Sequence, residues 1–262
     1  MSDELGLKFI FKHGVADENR LDLYDASVAL NGIARSLAIT THALLSGEVK
    51  TQGQSARGAR LYMLPSRKGS FVIETAIWIG AAVSSGLFYD FLKYSFDETV
   101  GKSDEEQELS RSLLKRIEPT MGELPASLES ALQDVHRPIK QDHKMSLIIA
   151  RPRGEILTEF NASTAEYLEP HVVSVEEPII GNVTRYNTNS RWGKFFDRGQ
   201  GRTVSFHLGP HVMEYERSLI TWSLHETNLL REGTLHLSAT AVITPTEKIK
   251  RYNVVKVSRP SF

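Results

Sequence analysis

Five runs near the end of the chain alternate apolar and polar side chains: residues 179–186, 192–196, 202–208, 234–243 and 249–257. A period of two puts every second side chain on one face, which is the pattern of a half-buried strand and not of a helix. Turn formers separate the runs: Asn187 to Ser190, Arg198 to Gly201, and Thr244-Pro245-Thr246. Five short strands so close together predict a small closed barrel of the OB or SH3 kind. One helical stretch interrupts them over 214–231, with Leu219, Ile220, Trp222 and Leu230 among its apolar members.

Upstream the periodicity is mixed. Leu7, Phe9 and Phe11 alternate with Lys8 and Lys12, so an opening strand is expected up to Gly14. Asp17-Glu18-Asn19 offers capping residues. Behind it Leu23, Ala26, Leu30, Ile33, Leu37 and Leu44 recur at helical steps up to Gly47, a natural stop. Residues 60–64 and 71–75 read as a hairpin whose tip, Pro65-Ser66-Arg67-Lys68-Gly69-Ser70, is basic. Residues 76–96 form the most apolar stretch and read as one helix rich in small residues, Gly80, Ala82 and Gly86 among them. Small residues at four-residue steps let helices approach closely, in an oligomer core or in a membrane. The uncharged part is shorter than the roughly 20 residues a spanning helix needs. Helices over about 103–117 and 125–136 follow, then a strand over 145–150; 155–177 resists assignment.

The fold class expected is therefore α+β. A mixed α/β part spans 1–100, a helical connector and mixed segment 101–177, and a small barrel with an inserted helix 178–262. Charge divides along the last boundary. Residues 178–262 carry 12 Lys and Arg against 6 Asp and Glu, a net +6, and the other 177 residues carry 19 against 26, a net −7. A basic module on an acidic body predicts an anionic contact for the module, either a separate ligand or the body of a neighbouring subunit. Zero cysteines exclude disulfide staples, thiol nucleophiles and cysteine zinc sites. Met1-Ser2-Asp3-Glu4 lacks an apolar core, so a cytoplasmic location is expected.

Two resemblances follow from particular residues. Ala16-Asp17-Glu18-Asn19-Arg20-Leu21, Pro65 to Phe71, Phe88-Tyr89-Asp90-Phe91-Leu92-Lys93-Tyr94, and Arg185-Tyr186-Asn187 through Phe196 resemble a family of uncharacterised bacterial proteins. That resemblance implies an N-terminal α/β part and a C-terminal five-stranded barrel, and no known reaction. More locally, Gly181 to Asn187, Trp192-Gly193-Lys194-Phe195 and Val204-Ser205-Phe206-His207 resemble the opening strands of cold-shock domains. There, aromatics on the second and third strands stack nucleic-acid bases. Arg185 and Lys194 depart from that pattern, standing where the family has aromatics.

Candidate binding residues follow from this region. Arg185, Arg191, Lys194 and Arg202 interleave with Tyr186 and Trp192, and His207 lies close by. Cations with stacking faces suit single-stranded nucleic acid or another anionic partner. The aromatics equally suit the interior of a small barrel, which needs such fillers. Arg67, Lys68 and Gly69 form a second anion candidate through the turn's backbone N–H groups.

No catalytic residue, metal site or cofactor is expected. Neither a G-x-S-x-G elbow nor a phosphate loop is present. Gly209-Pro210 separates His207 from His211 and prevents a helical ligand pair, and Asp17, Glu18, Asp22 and Asp25 sit where a helix dipole favours acids. The leading expectation is a non-enzymatic, homo-oligomeric binding protein whose basic C-terminal barrel contacts single-stranded nucleic acid or another anionic partner. Alternatives are a membrane-acting effector using 76–96 and a structural assembly protein. A role in bacterial defence suits either of the first two.

Overall fold

The computed structural model describes residues 3–51, 59–64, 71–79, 83–102 and 109–260. The chain divides into two compact units. One holds Met1–Thr120 with Leu124–Leu168, and the other holds Met121–Glu123 with Glu169–Phe262.

The first unit is built from β1 (Asp3–Lys12), α1 (Leu23–Ser46), β2 (Ala59–Leu64), β3 (Val72–Ile79), α2 (Ser85–Thr99), α3 (Arg111–Ile117), α4 (Glu123–Val135), α5 (Arg137–Gln141), β4 (Ser146–Ala150), β5 (Ile156–Phe160) and α6 (Ala162–Tyr167). Its sheet runs β2-β3-β1-β4-β5, and every neighbouring pair is antiparallel. Leu7, Phe9 and Phe11 on alternate positions of β1 are almost fully buried, as are Phe88, Phe91 and Phe96 of α2 and Leu128 and Leu132 of α4. α1 starts at Asp22, whose carboxylate accepts from the Tyr24 and Asp25 amides. That side chain satisfies two of the orphan donors that any helix start leaves. Gly47 ends the helix in the left-handed region at φ 70°.

The single helix expected over 76–96 is corrected. Ala76 to Ile79 belong to β3, and α2 begins only at Ser85, capped by the Ser84 hydroxyl at 3.3 Å from the Leu87 amide. Ala76, Ile77 and Ile79 are buried in register with β1, so cross-strand pairing takes up the first half of the apolar run. Among the described residues one helix, α1, is long and apolar enough to cross a membrane, and 61% of its most apolar window is buried within the protein. Residues 155–177, which show no clear periodicity, contain β5, α6 and an edge strand of the second unit.

The second unit comprises β6 (His171–Ser174), β7 (Ile179–Tyr186), β8 (Trp192–Asp197), β9 (Arg202–Leu208), α7 (Glu214–Asn228), β10 (Leu235–Ile243) and β11 (Ile249–Ser258). β7, β8 and β9 form an antiparallel meander. β9 then pairs with β11 in parallel, β11 with β10 antiparallel, and β10 with β7 antiparallel. The ring β7-β8-β9-β11-β10 therefore closes on itself, and β6 extends it along β10. Closure leaves no free edges within the ring. Val183, Phe195, Val204, Phe206, Leu237 and Val254 fill the interior.

Two buried polar side chains tie α7 to this barrel. Ser223 accepts from the Val183 amide at 3.0 Å and donates to the Gly233 carbonyl at 2.5 Å. Glu216 accepts from the Met213 amide at 2.8 Å and the Val257 amide at 3.1 Å. Each removes a buried backbone group that would otherwise cost about 1–3 kcal/mol.

Candidate nucleic-acid interface

Strand alternation sorts the candidate residues. On β8, Gly193, Phe195 and Asp197 point inward and are buried, whereas Trp192, Lys194 and Phe196 point outward. Register sets Trp192 opposite His207, Lys194 opposite Ser205 and Phe196 opposite Thr203 on β9. The parallel neighbour β11 continues two of these rows, with Asn253 opposite His207 and Arg251 opposite Ser205. Three strands thus present one outer face: Asn253-His207-Trp192 in one row, Arg251-Ser205-Lys194 in the next. Gly193 makes the arrangement feasible. A Cβ there would meet the Phe206 ring at 2.5 Å, so only glycine lets that ring fill the interior beneath the face.

The loop from β7 to β8 delivers the next residues. Asn187 Oδ1 accepts from the Asn189 and Ser190 amides, a local turn that Asn forms well. Arg191 closes the loop at φ 60°, an unusual conformation for a residue with a Cβ. Its amide donates to Asn187 and its carbonyl accepts from Leu208, which fixes that conformation. The arginine lies close enough to influence both Tyr186 and His207 electrostatically. Burial pushes the His207 pKa down, and the Arg191 charge pushes it further the same way. Both effects favour the neutral imidazole. Its ring lies 5.0 Å from that of Trp192, tilted by 39°.

The seven expected residues separate into distinct environments. Trp192, Lys194 and His207 share the outer face, and Arg191 flanks it. Arg185 is exposed, and its Nη1 reaches Met121 Sδ at 3.6 Å. Arg202 Nη2 donates to the Ile249 carbonyl at 2.6 Å, so this arginine fastens β9 to the start of β11. Tyr186 packs on the barrel core, nearly parallel to Phe206 with centroids 6.1 Å apart. A register shift between Val183 and Arg185 produces this. The extra residue reverses the alternation, turning Tyr186 inward and Arg185 outward. Sequence reasoning missed Arg251 and Asn253, because only the parallel β9–β11 pairing brings them to this face.

Residues Met121–Glu123 group with this unit. Gly122 sits against the same face at φ 78°, where a Cβ would be 3.2 Å from Trp192 Cε3 and 3.5 Å from Ser205 Oγ. Counting them, the unit carries 12 basic and 10 acidic residues, since Glu123, Glu169, Glu176 and Glu177 join it. The net charge is only +2, so the placement of the cations matters more than their sum.

The other candidates fare differently. Arg67, Lys68, Gly69, Gly80 and Ala82 lie outside the described residues. Gly86 is exposed in the first turn of α2, and a Cβ there would meet nothing within 4 Å, so no close helix packing within the chain depends on it. The acidic group near α1 is used structurally: Asp22 caps the helix, Asp17 accepts from the His13 amide, and Asp25 accepts from Arg137 Nε at 2.9 Å. Among the described residues no cluster of three or more His, Asp and Glu is arranged to hold a metal ion.

No curated protein and no solved structure matches the chain. A family match covers residues 7–169 and ends before the barrel, so the tail residues from Arg185 to Phe196 lie beyond it. Over that stretch the chain belongs to the family described as a domain of unknown function, DUF7946.

Proposed function

We propose that the C-terminal barrel is an OB-type module that binds single-stranded nucleic acid on the outer face of β8 and β9. The observation that supports this most is the strand connectivity. A three-stranded meander, a helix, and a closing pair whose last strand runs parallel to the third suit a five-stranded Greek-key barrel of that kind. OB folds bind oligonucleotides on strands two and three and on the loops joining strands one to two and four to five. In this barrel those places hold Trp192, Lys194 and His207, the Asn187 to Arg191 loop, and the Thr244 to Lys248 loop. Aromatic faces stack bases without demanding a sequence, and cations neutralise the phosphates between them.

The test is fluorescence anisotropy with labelled single-stranded DNA and RNA at low salt. Trp192→Ala is expected to weaken binding by roughly 1–3 kcal/mol, the range for one lost stacking face. Thermal unfolding is followed alongside, so that lost packing against Gly122 and His207 is separated from lost stacking. Equal binding by the variant refutes the proposal.

A further inference from the structure

We infer that Met121–Glu123 occupies the ligand face of the barrel in place of a nucleic-acid strand, with the Glu123 carboxylate standing where a phosphate would lie. This rests on the OB-type reading above and adds a mode of regulation to it. Three consecutive residues reach three parts of the face. Met121 Sδ takes the Arg185 guanidinium at 3.6 Å. Gly122 is buried and lies against Trp192 and Ser205. Glu123 lies beside Ser190 in the loop between β7 and β8. A bound strand uses the same chemistry, flat groups on the aromatic ring and an anion on the polar loop.

The fit is imperfect in a way that favours exchange. Burial pushes the Glu123 carboxyl up, and the nearby Ser190 hydroxyl draws it only partly back down. The Ser190 oxygen itself is buried without a partner in good hydrogen-bond geometry. A half-satisfied polar pair holds its place weakly. A phosphate brings more acceptor oxygens to the same loop, beside the Arg191 charge. Gly122 is the residue that makes the occupancy sterically feasible. Its positive φ and its approach to Trp192 both disfavour any larger side chain.

The full chain is titrated with a fluorescein-labelled oligothymidine, as the unaltered protein and as a Met121→Ala/Glu123→Gln variant. If the segment competes with the strand, the variant binds about tenfold more tightly, a change of about 1.4 kcal/mol. Amide exchange adds a direct readout: the Gly122 and Glu123 amides should lose protection when the oligonucleotide is added to the unaltered protein. Equal affinity of the two proteins, with protection unchanged on binding, overturns the inference and leaves the binding face intact. Binding by neither protein overturns the OB-type reading and this inference with it.

Discussion

Two histidines, one in each unit, have the same direction of pKa shift and opposite settings. His136 in the first unit is fully buried. Its Nδ1 lies 2.6 Å from the Leu132 carbonyl, its Nε2 lies 2.9 Å from the Thr164 hydroxyl, and Phe160 stacks on its ring at 4.6 Å. A carbonyl only accepts, so Nδ1 carries the proton and Nε2 is left as an acceptor facing the Thr164 hydroxyl, whose single proton is shared with the Asn161 carbonyl. Nothing on that imidazole is left for a ligand. His207 in the second unit is half-buried on an outer face, beside Trp192 and an arginine. His136 spends both ring nitrogens inside its own core, whereas His207 stands on a face shared with Trp192. A perturbed histidine is therefore no sign of function until its partners are counted.

The comparison breaks most directly through pH. Burial pushes His136 down to about 4, the largest cause, with Lys140 and Lys102 contributing in the same direction. In the unfolded chain the imidazole takes a proton near pH 6.5. Above that pH both states are neutral and His136 makes no pH-dependent difference. Below it the unfolded state gains a proton that the folded state refuses, so stability falls as pH drops from 6.5 towards 4 and levels off beneath. The loss should reach about 3 kcal/mol. Urea unfolding at several pH values measures it. His136→Phe should remove that part of the pH slope whatever it does to stability at pH 7, and an unchanged slope would show that the buried ring is not its source.

A smaller effect sharpens the contrast within the barrel. Tyr252 Oη donates to Asp197 Oδ2 at 2.5 Å, and both side chains are buried. Asp197 Oδ1 accepts from the Gly199 and Gln200 amides, so the same carboxylate holds the turn after β8. Burial, then the bond and charge of Asp197, push the phenol up, and it stays protonated as the donor. Tyr252→Phe leaves one carboxylate oxygen without its partner and should cost about 2 kcal/mol. Amide exchange should report the loss in β8, β9 and β11, while the sheet of the first unit keeps its protection. Uniform loss across both units would mean that they unfold as one cooperative body.

Much of this architecture is legible in the residues, for reasons that differ by region. The barrel strands show because every one alternates and is bounded by turn formers, as Trp192 to Asp197 between Ser190 and Gly199 illustrates. The end of β3 was hidden because Ala76, Ile77 and Ile79 run into an equally apolar helix, and only Ser84 marks the break. The outer face was half legible. Alternation alone separates Trp192 and Lys194 from the buried Phe195. No local pattern announces the shift that turns Tyr186 inward, or the parallel pairing that adds Arg251.

The smallest predicted effect separates cations that look alike in sequence. Lys194 lies on the outer face opposite Ser205, whereas Arg202 spends its guanidinium on the Ile249 carbonyl. Each phosphate contact releases counterions, so losing one reduces the slope of log affinity against log salt by about one unit or slightly less. Lys194→Ala should lower that slope. Arg202→Ala should loosen the β9–β11 seam and leave the slope as it was. Measuring affinity for single-stranded DNA across a salt series decides between them. Equal slopes in both variants would mean that the ligand follows net charge alone, and the face built by β8, β9 and β11 would lose its claim to be the site.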